Sequence, residues 1–307
     1  MSETVTERVD VVILGCGYVG IELGKQLTDA GYSVVGVRRS EDGLNSIDEA
    51  GFTAVEGDVS DPDSLAKLPD ARWIVFAASS GGRDATAAER IFVEGLESSI
   101  AAYGSRSNPP ERLVYTSSTG VYGDHDGEWV DESTRVNPTT DKTIVLAEAE
   151  RVARQYAKEY GIDGTVARFA GLYGPDRYRL SRYIEGPVTE GYLNMIHRDD
   201  AAGSITHLLI NDLARDEVVL VADDEPADKW GFADWLAGQC GVQHPPKRTK
   251  AERLAAGDLS DAAQRRIKTS KRCSNTKLRE LGYELQYPTY REGYAAAVAA
   301  FKRSQNE

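Results

Sequence analysis

The residues best suited to chemistry stand near the start, in Gly15-Cys16-Gly17-Tyr18-Val19-Gly20, a Gly-x-Gly-x-x-Gly spacing. Glycines at this spacing suit a turn that carries a strand into a helix beside a phosphate. Gly15 permits the tight turn, Gly17 lets the backbone approach a pyrophosphate, and Gly20 lets the helix pack on the strand. The helix that opens at Tyr18 and Val19 offers unpaired N–H groups and a partial positive charge to that pyrophosphate. Arg38-Arg39-Ser40 closes the next apolar run. An acid at this point would bind the ribose 2′-hydroxyl of NAD. Two guanidinium groups and a hydroxyl instead suit a 2′-phosphate. The expected cofactor is therefore NADP, with NAD left open by Glu41 and Asp42 just downstream. The same residues also fit a tight turn without a ligand and a pair of solvated surface arginines.

These groups need a sheet to position them. Val9 to Leu14 (VDVVIL) is a continuous apolar run, as a strand buried on both faces requires. Further strands are predicted at SVVGV, FTAVEGD, WIVFAA, RLVYTSS and GTVARF, with helical segments between them. This alternation implies an α/β fold, a doubly wound parallel (Rossmann) sheet with helices on both faces. After about Leu172 the alternation becomes irregular, which predicts a small C-terminal substrate-side region. On this reading residues 1–172 with 194–221 form the dinucleotide-binding domain. Residues 173–193 and 222–307 form the smaller region packed on it. There, Tyr290, Tyr294, Val298 and Phe301 recur at helical spacing, as do Phe232, Trp235 and Leu236; both sets read as core.

Composition bounds the function classes. The 307 residues carry 49 acidic against 36 basic side chains, a formal net charge of -13. Such a field repels nucleic-acid backbones and anionic lipid, so neither is expected as a partner. Acid excess with few lysines resembles proteins of salt-accumulating microbes, and it equally fits an ordinary acidic cytoplasmic protein. No apolar run approaches the ~18 residues that a membrane span needs. The acidic start, MSETVTERVD, does not read as a secretory signal. Cys16, Cys240 and Cys273 are widely spaced, which argues against a disulfide framework and for a reducing, cytoplasmic setting. The four histidines and these cysteines show no metal-ligand spacing, so no metal is expected.

Six motifs in order resemble the extended short-chain dehydrogenase/reductase superfamily, the NAD(P)-dependent epimerase/dehydratase group. Besides the glycine loop they are Gly57-Asp58-Val59, Ala77-Ala78, Ser117-Ser118-Thr119-Gly120-Val121-Tyr122-Gly123, Arg168-Phe169-Ala170-Gly171-Leu172-Tyr173-Gly174-Pro175 and Ile196-His197-Arg198-Asp199-Asp200-Ala201. The resemblance implies that Asp58 and Val59 contact the adenine end of the cofactor, and that Ala77, Ala78 and Ala170 line it. It implies that Ser118, four residues before Tyr122, aligns with the family's catalytic serine. It also implies that Tyr122 and Tyr173 line the nicotinamide end of the cleft, and that His197 stands where the family closes the substrate cleft, as a structural hydrogen-bonder rather than a base, with Asn194 and Arg198 as polar substrate contacts there. Members often dimerise through helices flanking the sheet, though no apolar stripe here demands a homodimer.

The family's chemistry uses a Tyr-x-x-x-Lys pair, in which the lysine favours the phenolate so that the tyrosine can exchange a proton with substrate. No tyrosine of this chain has lysine four positions later. Counting back from Leu146-Ala147-Glu148-Ala149-Glu150-Arg151 places Lys142 at the tyrosine position and Leu146 at the lysine position. The chain thus resembles atypical members that keep the cofactor fold without this pair. Two readings follow. The first is an NADP-dependent oxidoreductase or epimerase that acts on a small hydroxyl or carbonyl compound, such as a nucleotide-sugar. It would use Ser118 with Lys142 or Tyr122 as the acid. The second is a catalytically retired NADP(H)-binding regulatory or scaffold protein.

Overall fold

Val9–Leu14 forms the first strand, β1, and Val11 to Leu14 are completely buried, as the unbroken apolar run demands. The computed structural model describes residues 8–81 and 85–305. The reading of the first residues as lacking a signal falls mostly on positions outside these. In chain order the main sheet continues with β2 (Val34–Arg38), β3 (Thr53–Glu56), β4 (Ala71–Phe76), β5 (Arg112–Ser118), β6 (Asp163–Phe169) and β7 (Val218–Val221). Their spatial order is β7-β6-β5-β4-β1-β2-β3. The sheet is parallel with flanking helices: β1 pairs with β2 on one side and β4 on the other, and the chain reverses direction of travel across the sheet at β1. Ligands in such sheets bind at the carboxyl ends of the strands, at the point where the order reverses. The ends of β1 and β4 are that point here.

The chain divides into two units. The first comprises residues up to Ser118, Asp141–Arg168 and Ala202–Val219. Its helix Tyr18–Asp29 buries Val19, Leu23 and Leu27. A helix runs over 85–104, with Arg90–Glu94 wound as a π-turn inside it. Arg112, at the start of β5, is wholly buried. Its guanidinium donates to the carbonyls of Leu208 and Leu213 and to Thr165 Oγ1, so it ties the first unit's strands to its last helix.

The second unit comprises Thr119–Thr140, Phe169–Ala201 and Leu220–Glu307. This differs from the sequence-based division, which left Thr119–Thr140, 169–172, 194–201 and 220–221 with the sheet. The reason lies in local pairing. Trp129–Val130 pairs with Arg272–Cys273, and Met195–His197 pairs with Gly171–Tyr173. The first segment thus gains its strand partner from the C-terminal part of the chain, the second pairs within the same unit, and the second unit is more than a small appendage. Its core holds Tyr173, Phe232, Leu236, Tyr290, Tyr294 and Val298, with Trp235 and Phe301 packed against it, as their helical spacing implied. Among the described residues no helix is long and apolar enough to cross a membrane.

Candidate functional site

The glycine loop lies in the first unit, between β1 and the helix Tyr18–Asp29. Gly15 has φ +77, and a Cβ there would stand 2.2 Å from the Ala78 Cα. Only glycine fits this turn, because the backbone is left-handed and the chain after β4 passes directly over it. Ala77 is fixed on the same edge, its amide donating to the Leu14 carbonyl at 2.8 Å. Ala77 and Ala78 are both half-buried. A Cβ at Gly20 would press on Ile13 Cγ2 at 3.1 Å and Cys16 Sγ at 3.4 Å, so this glycine serves helix-to-strand packing as its spacing implies.

Gly17 has a more specific neighbour. A Cβ there would stand 2.7 Å from Arg38 Nη1. The Arg38 side chain leaves the end of β2 and lies across the loop, its Nη1 donating to the Cys16 carbonyl at 3.4 Å. Among the described residues it meets no carboxylate. Gly43 makes room for the stem of the same side chain, since a Cβ there would stand 2.7 Å from Arg38 Nε. Gly17 also caps the helix with no side-chain hydrogen bond, and no acid occupies the first turn. Tyr18 and Val19, the first helical residues, are half-buried and buried. A guanidinium that meets no counter-ion among the described residues, an uncapped helix start and a backbone cleared of side chains fit the phosphates of a dinucleotide.

Arg39 and Asp58 are engaged with one another, at 3.2 Å. Burial pushes the Asp58 carboxyl up, but hydrogen bonds from the Ser60 amide and hydroxyl and from Arg39 outweigh it and hold its pKa below the usual range. Arg39 therefore does not stand beside Arg38 as a second unpaired cation. Ser40 caps the helix Glu41–Glu49 by accepting from the Gly43 amide, which leaves its hydroxyl proton to donate. Val59 is buried beneath the loop that carries Asp58, against the position of Gly95.

Ser118 ends β5 and is half-buried. Its neighbour Ser117 points the other way and donates to Glu150 Oε1 at 2.6 Å. Glu150 in turn holds Arg168 through Nε and Nη2 at 2.6–3.1 Å, and the pair is buried. This three-residue cluster escaped the sequence reading, in which Glu150 and Arg168 were only markers of family motifs. Lys142 is exposed, with its Nζ 5.9 Å from the Phe92 ring centroid.

In the second unit, Tyr122 is fully buried and its hydroxyl donates to the Asp131 carbonyl at 2.7 Å. Tyr173 stacks on Tyr294 with ring centroids 5.0 Å apart, and its hydroxyl has no hydrogen-bond partner among the described residues. Burial, with Asp223 adding, pushes its phenol far above the ordinary range. It is a core residue of this unit. Asn194 uses both ends of its amide on backbone, donating to the Lys271 carbonyl and accepting from the Cys273 amide. His197 Nδ1 accepts from the Asp199 amide at 3.3 Å. Burial lowers the His197 pKa to about 4, against the pull of Asp199, so the ring is neutral at pH 7. Arg198 pairs with Asp199 at 2.8 Å. Ala170 is buried, its amide donating to the Val221 carbonyl. Of the substrate-side expectations, Tyr173 and Asn194 thus have structural duties, and Tyr122 has its hydroxyl committed.

The chain is similar to known proteins over most of its length. The chain is 29% identical over 286 residues to YeeZ of Escherichia coli K12, covering 91% of this chain and 96% of that protein. A solved structure from Methylobacillus flagellatus is 30% identical, covers 96% of this chain and 99% of its own, and superposes with a TM-score of 0.75. A UDP-glucose 4-epimerase of Thermotoga maritima, whose structure holds UDP-glucose, shares the fold at 18% identity. It covers 96% of this chain and 99% of its own, with a TM-score of 0.79. Residues 11–226, which include the glycine loop, Arg38, Ser118 and the Glu150–Arg168 cluster, match one family model, and the chain belongs to the NAD dependent epimerase/dehydratase family.

Proposed function

We propose that the chain binds NADP(H) in preference to NAD(H) and acts as an oxidoreductase or epimerase on a small hydroxyl or carbonyl compound. The observation that carries the cofactor preference is the Arg38 guanidinium, laid across Gly17 without a carboxylate partner among the described residues. In this reading the Gly17 backbone and the start of the helix Tyr18–Asp29 hold the pyrophosphate, and Ala77 and Ala78 line the cofactor. Arg38, assisted by the Ser40 hydroxyl, holds the 2′-phosphate. Bound there, the cofactor supplies hydride exchange with a carbon that bears a hydroxyl or carbonyl group. Ser118 donates a hydrogen bond to the oxygen on that carbon. The likeness to an epimerase that holds UDP-glucose makes nucleotide-sugars the first substrate class to test.

Purified protein would be denatured and its released small molecules identified by mass spectrometry. NADP together with a nucleotide-sugar or another carbonyl compound is the expected result. NAD alone would overturn the cofactor preference. A second reading, a cofactor-binding protein without turnover, draws on the committed Tyr122 hydroxyl and the exposed Lys142. Turnover that Ser118→Ala leaves unchanged would count against the proposed role of that serine.

A further inference from the structure

Three acids stand in succession just beyond β7, at Asp223-Asp224-Glu225. The second unit supplies cations to two of them. The exposed Asp224 accepts from Asn275 Nδ2 at 2.7 Å and has Arg279 Nε at 3.8 Å. Glu225 pairs with Arg291 Nη1. Asp223 is different, because its side chain is buried, with 2% exposure. Its Oδ1 accepts from the Glu225 amide at 3.3 Å. Its Oδ2 has no hydrogen-bond partner among the described residues, and no cation among them pairs with it. The backbone leaves it little freedom, since the Asp223 amide donates to the Met195 carbonyl at 2.8 Å.

The titratable groups that face Asp223 offer no positive charge. They are Asp224 and Glu225 on its own segment and Asp200 on the helix Arg198–Ile210. The phenols of Tyr173 and Tyr290 and the thiol of Cys273 face it from three further elements. Asp200 shows what a buried carboxylate needs. It is equally buried, yet it accepts from the Tyr283 hydroxyl at 3.0 Å and from the Gln286 and Tyr287 amides at 2.8 and 2.9 Å. Asp223 has one such bond, at the long end of the range. A buried carboxylate with an idle oxygen and no counter-ion takes up a proton instead of staying ionised. Burial pushes the Asp223 carboxyl well above the ordinary range; the bond from the Glu225 amide opposes this, and the charges of Asp224, Glu225 and Asp200 add to it.

We propose that Asp223 is a proton-operated latch of the second unit. With its proton on, it keeps the chain after β7 packed against Met195 and Tyr173. Loss of the proton draws the carboxylate out to water and loosens that segment. His197, two residues beyond Met195, makes the same unit sensitive to acid, because burial holds its ring neutral. Asp223 sets the opposite limit, on the alkaline side.

The test is urea unfolding of the whole chain from about pH 5 to 9, in wild type and in Asp223→Asn, which keeps the shape and cannot titrate. Above about pH 4 the unfolded carboxyl has lost its proton while the folded one keeps it, so unfolding releases one proton. The unfolding constant of wild type relative to Asp223→Asn should therefore rise about tenfold per pH unit, then level off where the folded carboxyl ionises. Hydrogen exchange supplies a second readout that needs no variant. Corrected for the intrinsic rate, the protection of residues 218–228 in wild type should fall as pH rises over the same range. In Asp223→Asn it should stay level. If the variant does not fold, the wild-type exchange profile decides. A ratio of unfolding constants independent of pH, or wild-type protection of 218–228 that does not change with pH, would overturn the proposal.

Discussion

Arg168 grips both carboxylate oxygens of Glu150 at 2.6–3.1 Å inside the first unit, and Ser117 adds its hydroxyl to the same carboxylate at 2.6 Å. The cluster joins the end of β5, the helix Asp141–Arg151 and β6. It therefore sets the backbone from which Ser118 projects. A buried ion pair adds little net stability over an apolar pair, yet breaking it strands an uncompensated charge.

The first prediction follows from that asymmetry. Arg168→Met alone should destabilise the protein by about 3–5 kcal/mol, because Glu150 is left buried and unpaired. Combining it with Glu150→Leu should recover most of the loss. Denaturant unfolding of the three proteins measures this. A double variant no better than Arg168→Met alone would mean that the stability lies in the bonds themselves, not in charge compensation.

His197 gives the second prediction. Its folded pKa is about 4, below the ~6.5 of a free imidazole. Below pH 6.5 the unfolded chain therefore binds more protons at this residue than the folded one. Its contribution is fully present above pH 6.5 and is lost as pH falls towards 4, on the order of 1–3 kcal/mol over that window. Urea unfolding between pH 7.5 and 4.5 should show a shallower acid-side loss for His197→Asn than for wild type. Equal slopes would contradict the neutral, buried ring.

Tyr122 separates a structural hydroxyl from a catalytic one. Tyr122→Phe removes the bond to the Asp131 carbonyl and should cost about 0.5–1.5 kcal/mol of stability. NADPH affinity should not change. Turnover abolished by Tyr122→Phe at an unchanged melting temperature would contradict the bond to the Asp131 carbonyl and leave the hydroxyl to act on substrate.

The net charge of -13 makes stability depend on salt. Screening of like-charge repulsion should raise the melting temperature as KCl is added towards molar concentration. A melting temperature unaffected by removing molar salt would count against the salt-adapted reading of the composition.

The sheet and the glycine loop were legible because their signals are local. VDVVIL could only be a buried strand, and the Gly15–Gly20 spacing marks the turn that follows it. The aromatic ladder of Tyr290, Tyr294 and Val298 was equally plain, since helical periodicity reports burial directly. What the sequence hid were relations between distant side chains. Glu150 and Arg168 lie on different elements, and no spacing rule joins them. Asn194 stands just before a family motif and reads as a substrate contact, but its amide serves the backbone of Lys271 and Cys273. Arg39 looked like the equal of Arg38 until Asp58 was found beside it.

The central claim is that Arg38 selects the cofactor, and the most direct measurement is the ratio of NADPH to NADH affinity in wild type and Arg38→Ala. Fluorescence titration of each nicotinamide would supply it. Loss of a charge-assisted contact to the 2′-phosphate, about 1.5–3 kcal/mol, predicts that the preference for NADPH falls about 10- to 100-fold. NADH affinity should move little. An unchanged ratio would contradict the account.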